Sequence, residues 1–328
     1  MLKYTLKRLV YIVFVFFIMS ILLFFLYNSI PGDPARAEVE GLKQTLSPQA
    51  YQKAYEDARA RLGLDDPILT RYSKWMGNTL KGDLGISSLY KQEVIKLVKS
   101  PIGVTVKINL ITTFLVLAIT IPLGIRQAVR KNTLFDRTVQ ATSIVGYSIP
   151  TFILALVLIY LFAVKFRWLP ISGLTTPNFS GTPWQEFWDM AKHMVLISLV
   201  IVLSNIAFMT RYVRAAMIDS LSMDYIKTAR AKGVKEKTVV YSHAWRNALL
   251  PVITLILSWI IGVFGGSVVL ETMFGINGMG KFYIDALNAK DFNIALAVQM
   301  FYIIIGLVGS LIIDLSYGIV DPRVRINE

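Results

Sequence analysis

Six stretches of the chain stay apolar long enough to cross a bilayer, and the polar residues gather between them in segments of unequal length. A hydrocarbon core of about 30 Å takes roughly twenty residues of helix. The stretches at 9–30, 104–125, 139–164, 193–210, 248–270 and 292–320 meet that need. The first follows Lys3, Lys7 and Arg8, as the apolar core of a secretory signal would. It is too long for such a core and no small-x-small cleavage site follows, so it reads as an uncleaved anchor.

The polar segments carry their own signals. Between the first two spans, Ser47-Pro48 is an N-cap with proline at the first helical position, and Gly63 can end that helix. Pro67 can start another through Tyr72 and Trp75, ending near Gly82. A small helical cap is expected there. The segment after the fourth span, 211–247, is basic. In it the run Asp224 to Lys232 predicts a short helix, capped by Asp224 and ended by Gly233 in a left-handed conformation. A second helix from Lys235 to Leu250 leads to Pro251. The chain divides into 1–103, an anchor with its helical loop region, and 104–328, a core of five spans containing the loop 211–247.

Charge sets the orientation. The N-terminal flank, the second and fourth loops and the C-terminal tail hold seventeen Lys and Arg, against five in the third and fifth loops. By the positive-inside rule both termini are cytoplasmic. The long first loop holds eleven, but long loops translocate largely regardless of charge. Trp168, Trp184 and Trp188 then stand as interfacial anchors on the outer side.

Composition narrows the chemistry. Mean hydropathy is +0.56 and charged residues are 17% of the 328, too few for an ordinary soluble domain. The net charge of +13 is accounted for by cytoplasmic loops and does not call for nucleic acid. There is no cysteine, which excludes disulfides and thiolate chemistry. His193 and His243 are too far apart to form a metal-spaced cluster. Gly275 to Gly280-Lys281 fits the opening of a P-loop, but Phe282 stands where magnesium needs Ser or Thr, and no strand precedes it. No catalytic, cofactor-binding or metal-binding residue is assigned. Asp314 is the ionisable residue inside the sixth span: either a candidate intramembrane polar site, or a carboxylate near the cytoplasmic end held by a neighbouring helix or by the tail. Gly262-x-x-x-Gly266 permits close helix packing or local flexibility.

The segment Asp224-Tyr225-Ile226-Lys227-Thr228-Ala229-Arg230-Ala231-Lys232-Gly233, followed by His243-Ala244-Trp245-Arg246-Asn247-Ala248-Leu249-Leu250-Pro251, resembles the cytoplasmic loop of binding-protein-dependent ABC importer permeases. It is closest to that of the oligopeptide and dipeptide branch. Lys227-Thr228-Ala229 replaces the general importer's Glu-Ala-Ala triplet, as in the peptide branch. Ile30-Pro31-Gly32-Asp33-Pro34, Leu62-Gly63-Leu64-Asp65, Gly82-Asp83-Leu84-Gly85, Glu271-Thr272-Met273-Phe274 and Asp321-Pro322-Arg323 resemble further family motifs. One departure is Asn277, where the family usually has proline.

The resemblance implies an all-α, polytopic membrane fold of the type I ABC importer permease class, six transmembrane helices with an outer helical loop domain. It implies a non-catalytic subunit of a bacterial inner or plasma membrane. Its partners would be a second homologous permease, two cytoplasmic ATPase subunits carrying ATP and Mg, and an extracytoplasmic peptide-binding protein, with lipid around it. Tyr225, Ala229, Arg230, Ala231, Lys232 and Gly233 would couple to an ATPase, the alanines by permitting close approach. The cargo would be oligopeptides; dipeptides, nickel or another metal chelate are the alternatives within the family. A stand-alone channel or secondary transporter would need a polar path within one chain, and an intramembrane hydrolase a Ser/His or paired-Asp set within the spans. Both fit this sequence poorly.

Overall fold

The computed structural model describes residues 2–320; Asp321-Pro322-Arg323 lies outside the described residues. Apart from one isolated antiparallel bridge between Ile86 and Glu93, the described residues hold no β-structure. The chain opens with the anchor α1 (Leu2–Ser29) and continues into α2 (Pro34–Val39), α3 (Pro48–Arg61), α4 (Ile68–Leu80) and α5 (Val94–Leu97). Then come the long α6 (Lys99–Val129), α7 (Leu134–Ser148) and α8 (Thr151–Leu158), the last extended by a π-helical turn, Ile159–Lys165. The longest helix is α9 (Pro183–Ser222), followed by α10 (Asp224–Ala231) and α11 (Glu236–Thr238). A π turn, Val239–Ala244, leads into α12 (Trp245–Gly262). The rest is α13 (Val268–Met273), α14 (Met279–Asn288) and α15 (Phe292–Val320).

Among the described residues five helices are long and apolar enough to cross a membrane, and a sixth crossing arises if the α7–α8 pair is one span. That pair is bent by 97°, where the sequence reading expects a continuous helix over 139–164. The cause is Pro150. It has no N–H to continue the ladder and its ring drives the preceding residue out of the helical region. Ile149 is accordingly extended, at φ −81° and ψ 122°. The expected fifth span, 248–270, also stops early, because α12 ends at Gly262. Gly266 lies beyond it in a close backbone approach to Gly280, where an added Cβ would sit 2.2 Å from the Gly280 nitrogen. Gly262 meets no other helix of this chain, so within the chain the pair does not pack two helices together. The expected loop 211–247 is mostly helical: α9 continues to Ser222 and carries Arg211 and Arg214, leaving a short connection around α10.

The described chain forms two compact units. The first comprises the described parts of Met1–Thr105, Gly265–Val268 and Asn277–Leu311. Its outer helices start as the sequence predicts: Ser47 caps α3, accepting from the Ala50 N–H at 3.3 Å, with Pro48 at the first position. Gly63, at φ +62°, follows the end of that helix. Ala35, Val39 and Ala58 form a small core between α2 and α3. Phe24 and Tyr27 of α1 pack with Ala295 and Leu296 of α15 and against Tyr72 and Trp75 of α4. Asp291 is buried. It accepts from Ser87 Oγ at 2.5 Å and from the Leu89 N–H at 3.0 Å, tying the 87–89 turn to the start of α15.

The second unit comprises the described parts of Val106–Phe264, Val269–Ile276 and Ile312–Glu328. Its core joins Ile125 and Ala128 of α6, Met209, Val213 and Met217 of α9, and Val239 through Val252 around the second π turn. Close packing of α6 on α9 depends on Gly124, since a Cβ there would lie 2.8 Å from Val213 Cβ and 2.9 Å from the Thr210 carbonyl oxygen.

Candidate functional site: the α10 loop

The loop is built from the end of α9 downward. At Met223 the chain turns extended, with φ −72° and ψ 153°, and α10 begins at Asp224. Asp224 is the first residue of the helix and makes no side-chain cap, contrary to expectation. Its carboxylate instead stands in the first turn, where the helix dipole favours it, and accepts from Lys227 Nζ at 2.8 Å. The far end closes as expected at Gly233, φ +76°. The Val234 N–H donates to the Ala229 carbonyl at 3.2 Å and the Gly233 N–H to the Arg230 carbonyl at 2.9 Å. These are the two bonds of a Schellman closure, and Val234 completes it by packing on the core.

Within α10, Ile226 and Ala229 stand three residues apart and therefore share a face. Ile226 is fully buried and Ala229 nearly so, both in the core of the second unit. Ser220 Oγ donates to the Ala244 carbonyl at 2.7 Å, so Tyr225 Oη, 2.8 Å from the same oxygen, donates to it. One hydroxyl thus ties α9, α10 and the second π turn. Arg230 reaches across the Gly233 turn to Glu236 with two bonds, 3.1 and 2.7 Å. The result is a short helix pinned along its inner side. Tyr225, Lys227, Thr228, Ala231, Lys232 and Gly233 are exposed on the other.

Of the residues named from sequence, Tyr225, Arg230, Ala231, Lys232 and Gly233 do come together on the exposed part of this element. Ala229 does not: its side chain points into the chain's own core. Its small size serves the packing of α10 onto α9 and the π turn. Asp314 is half-buried on α15. Among the described residues no cluster of His, Cys, Asp and Glu could hold a metal ion. The glycine-rich stretch before Lys281 has a structural explanation: Gly280 sits in the first turn of α14, where a Cβ would lie 2.5 Å from the Val268 nitrogen.

A buried ion pair beside the loop is missing from the sequence reading. Asp136 is fully buried and takes Arg214 of α9 in a bidentate grip, both bonds 2.7 Å. It also accepts from the Asn132 N–H at 2.9 Å, from Gln140 Nε2 at 3.0 Å and from Gln127 Nε2 of α6 at 3.3 Å. Three helices meet on one carboxylate. A usable signal is Thr133-x-x-Asp136 ahead of an apolar run, a capping-box spacing. Thr133 Oγ1 does accept from the Asp136 N–H at 3.4 Å.

Long apolar helices, one pair of them bent at a proline, with a short amphipathic helix anchored beside them, are the architecture of a polytopic membrane protein. The chain belongs to the family of binding-protein-dependent transport system inner membrane components, whose profile matches residues 120–326. The N-terminal profile of such membrane components matches residues 1–89. It is therefore an ABC importer permease subunit and a multi-pass membrane protein. It is 37% identical over 307 residues to the oligopeptide transport system permease protein AppB of Bacillus subtilis, covering 93% of this chain and 94% of that one. It is 32% identical over 325 residues to the glutathione transport system permease protein GsiC of Escherichia coli, covering 99% of each. In fold it is similar to a chain of the inward-facing MetNI methionine ABC transporter, with a TM-score of 0.50 at 18% identity over 67% of this chain and 96% of that one.

Proposed function

We propose that this chain is one of two homologous permeases in an importer of oligopeptides, with dipeptides or glutathione-sized peptides as the nearest alternatives. Relatives named for oligopeptide and glutathione transport, matched along almost the whole chain, support the peptide reading. Both termini face the cytoplasm. An extracytoplasmic binding protein delivers the cargo. Two cytoplasmic ATPases bind and hydrolyse ATP with Mg, and this chain contributes no catalytic group.

The observation that carries the mechanism is the pinned α10 helix. Its inner face is fixed to α9 and the second π turn through Ile226, Ala229 and the Ser220 hydroxyl. Packed helices move as units. A force on the exposed face of α10 is therefore transmitted to the spans instead of being absorbed by a slack loop. The exposed Ala231 is the residue through which an ATPase groove approaches.

The experiment is uptake of a radiolabelled oligopeptide into cells carrying Ala231→Trp, together with recovery of the ATPase with the permease from solubilised membranes. A bulky ring on the contact face overpacks it at about 1–3 kcal/mol. Uptake and ATPase recovery should both fall by about tenfold while the chain stays in the membrane. Wild-type uptake and recovery would mean that α10 is only a basic connector.

A further inference from the structure

Between α6 and α9, within the second unit, runs an apolar slot of about 470 Å³. Its walls include Ile111, Leu115 and Ile119 on α6 and Met194 and Val202 on α9, with Lys107 at one end. From Lys107 to Ile119 is twelve residues of helix, about 18 Å long at 1.5 Å per residue. That matches one leaflet of a hydrocarbon core, about 15 Å.

The Lys107 end is marked independently as the headgroup level. Trp184, Phe187 and Trp188 cluster at the start of α9 with ring centroids 5.6 to 5.8 Å apart, and all three are more than half exposed. Exposed aromatic clusters at a helix end sit at the membrane interface. Phe187 also lines the slot. The Lys107 ammonium points at Met190 Sδ, 3.5 Å away, a weak acceptor, and among the described residues no carboxylate pairs with it. A cation at headgroup level, above an apolar slot one leaflet deep, complements an anionic phospholipid.

We propose that the α6–α9 slot holds the acyl chain of one anionic phospholipid, with its phosphodiester on Lys107. The charge makes the site selective for an anionic over a zwitterionic headgroup. The inference rests on the bilayer reading of α6 and α9, and not on the peptide cargo or the coupling role of α10.

The test uses the importer complex reconstituted into nanodiscs of equal phosphatidylglycerol and phosphatidylcholine, re-extracted in mild detergent and weighed by native mass spectrometry. One lysine at a lipid surface changes retention by about fivefold. Lys107→Gln should lower the phosphatidylglycerol-to-phosphatidylcholine ratio of retained lipid by about that factor, while Lys107→Arg keeps it. Leu115→Trp, which fills the slot, should remove the retained lipid; if that variant fails to assemble, the Lys107 series decides alone. Benzoylphenylalanine at position 111 should cross-link to lipid. A ratio unchanged in Lys107→Gln, or a cross-link from position 111 to another protein chain, would overturn the proposal. The latter result would assign the slot to the second permease. Failure of peptide uptake in any of these variants has no bearing on it, so the lipid site and the cargo reading fail separately.

Discussion

The motif Pro31-Gly32-Asp33-Pro34 shows how single residues set the outer segment. Gly32 adopts φ +147°, a region that side chains with a β-carbon rarely enter. Pro34 starts α2 with its fixed φ and no N–H to waste. Asp33 caps α2, accepting from the Ala35 N–H at 2.9 Å and the Arg36 N–H at 3.4 Å, and also receives Tyr55 Oη and Arg59 Nη1. Partial burial pushes its pKa up. The Tyr55 bond, the two backbone N–H groups and the Arg59 charge outweigh that, so the carboxyl ends below its ordinary 3.8. A depressed folded pKa contributes stability that is complete above 3.8 and lost as pH falls through the lower folded value. Amide exchange across 34–61 in the full chain, taken relative to the intrinsic rate at each pH, should therefore accelerate below pH 3.8. Asp33→Ala should accelerate it at neutral pH, a loss of about 1 kcal/mol for a missing cap, and abolish that part of the acid response. An identical acid profile in the variant would refute the assignment. The motif is visible in the sequence, whereas the convergence of Tyr55 and Arg59 on Asp33 is not, because α3 must first fold back on α2.

At the scale of elements, α10 divides what is legible from what is not. Its length, its glycine end and its position between two long helices follow from local signals. The inward turn of Ala229 depends on helical phase. Ile226 and Ala229 occupy one face, and only packing against Met217 and Val239 shows that this face is the buried one. The Gly233 prediction belongs here. Nothing lies within 4 Å of a Cβ built at Gly233, so substitution there meets backbone strain alone. A β-carbon in the left-handed region costs roughly 1–2 kcal/mol. Gly233→Val should thus unwind the end of α10, loosen the Arg230–Glu236 grip and cut uptake several-fold at normal expression. Gly233→Asn, whose side chain tolerates this conformation, should retain most uptake. Equal loss in both variants would point to a contact needing the bare glycine surface instead of its backbone angle.

For the whole molecule, topology turns on how the bent α7–α8 pair meets the bilayer. A single crossing and a re-entrant hairpin place residue 181 on opposite sides. Under the charge asymmetry of the loops, reporter fusions after Thr133 and Lys235 should read cytoplasmic and a fusion after Gly181 external. A cytoplasmic reading at Gly181 would make the pair re-entrant and reverse the sides given to everything that follows, Lys235 included. Pro150 is plain in the sequence. Apolar periodicity alone does not reveal that it bends the pair by 97° in place of a mild kink.

By itself the sequence determined the membrane class, the helical content, the family, the caps of α3 and the glycine end of α10. Each depends on hydropathy, on backbone angles or on residues adjacent in the chain. Tertiary structure alone decided that Asp136 binds Arg214, 78 positions away, that Gly124 lets α6 close on α9, and that Ala229 faces inward. It also decided where the apolar slot beneath Lys107 opens. These depend on which helix faces meet, and a period of 3.6 residues specifies a face without specifying its neighbour.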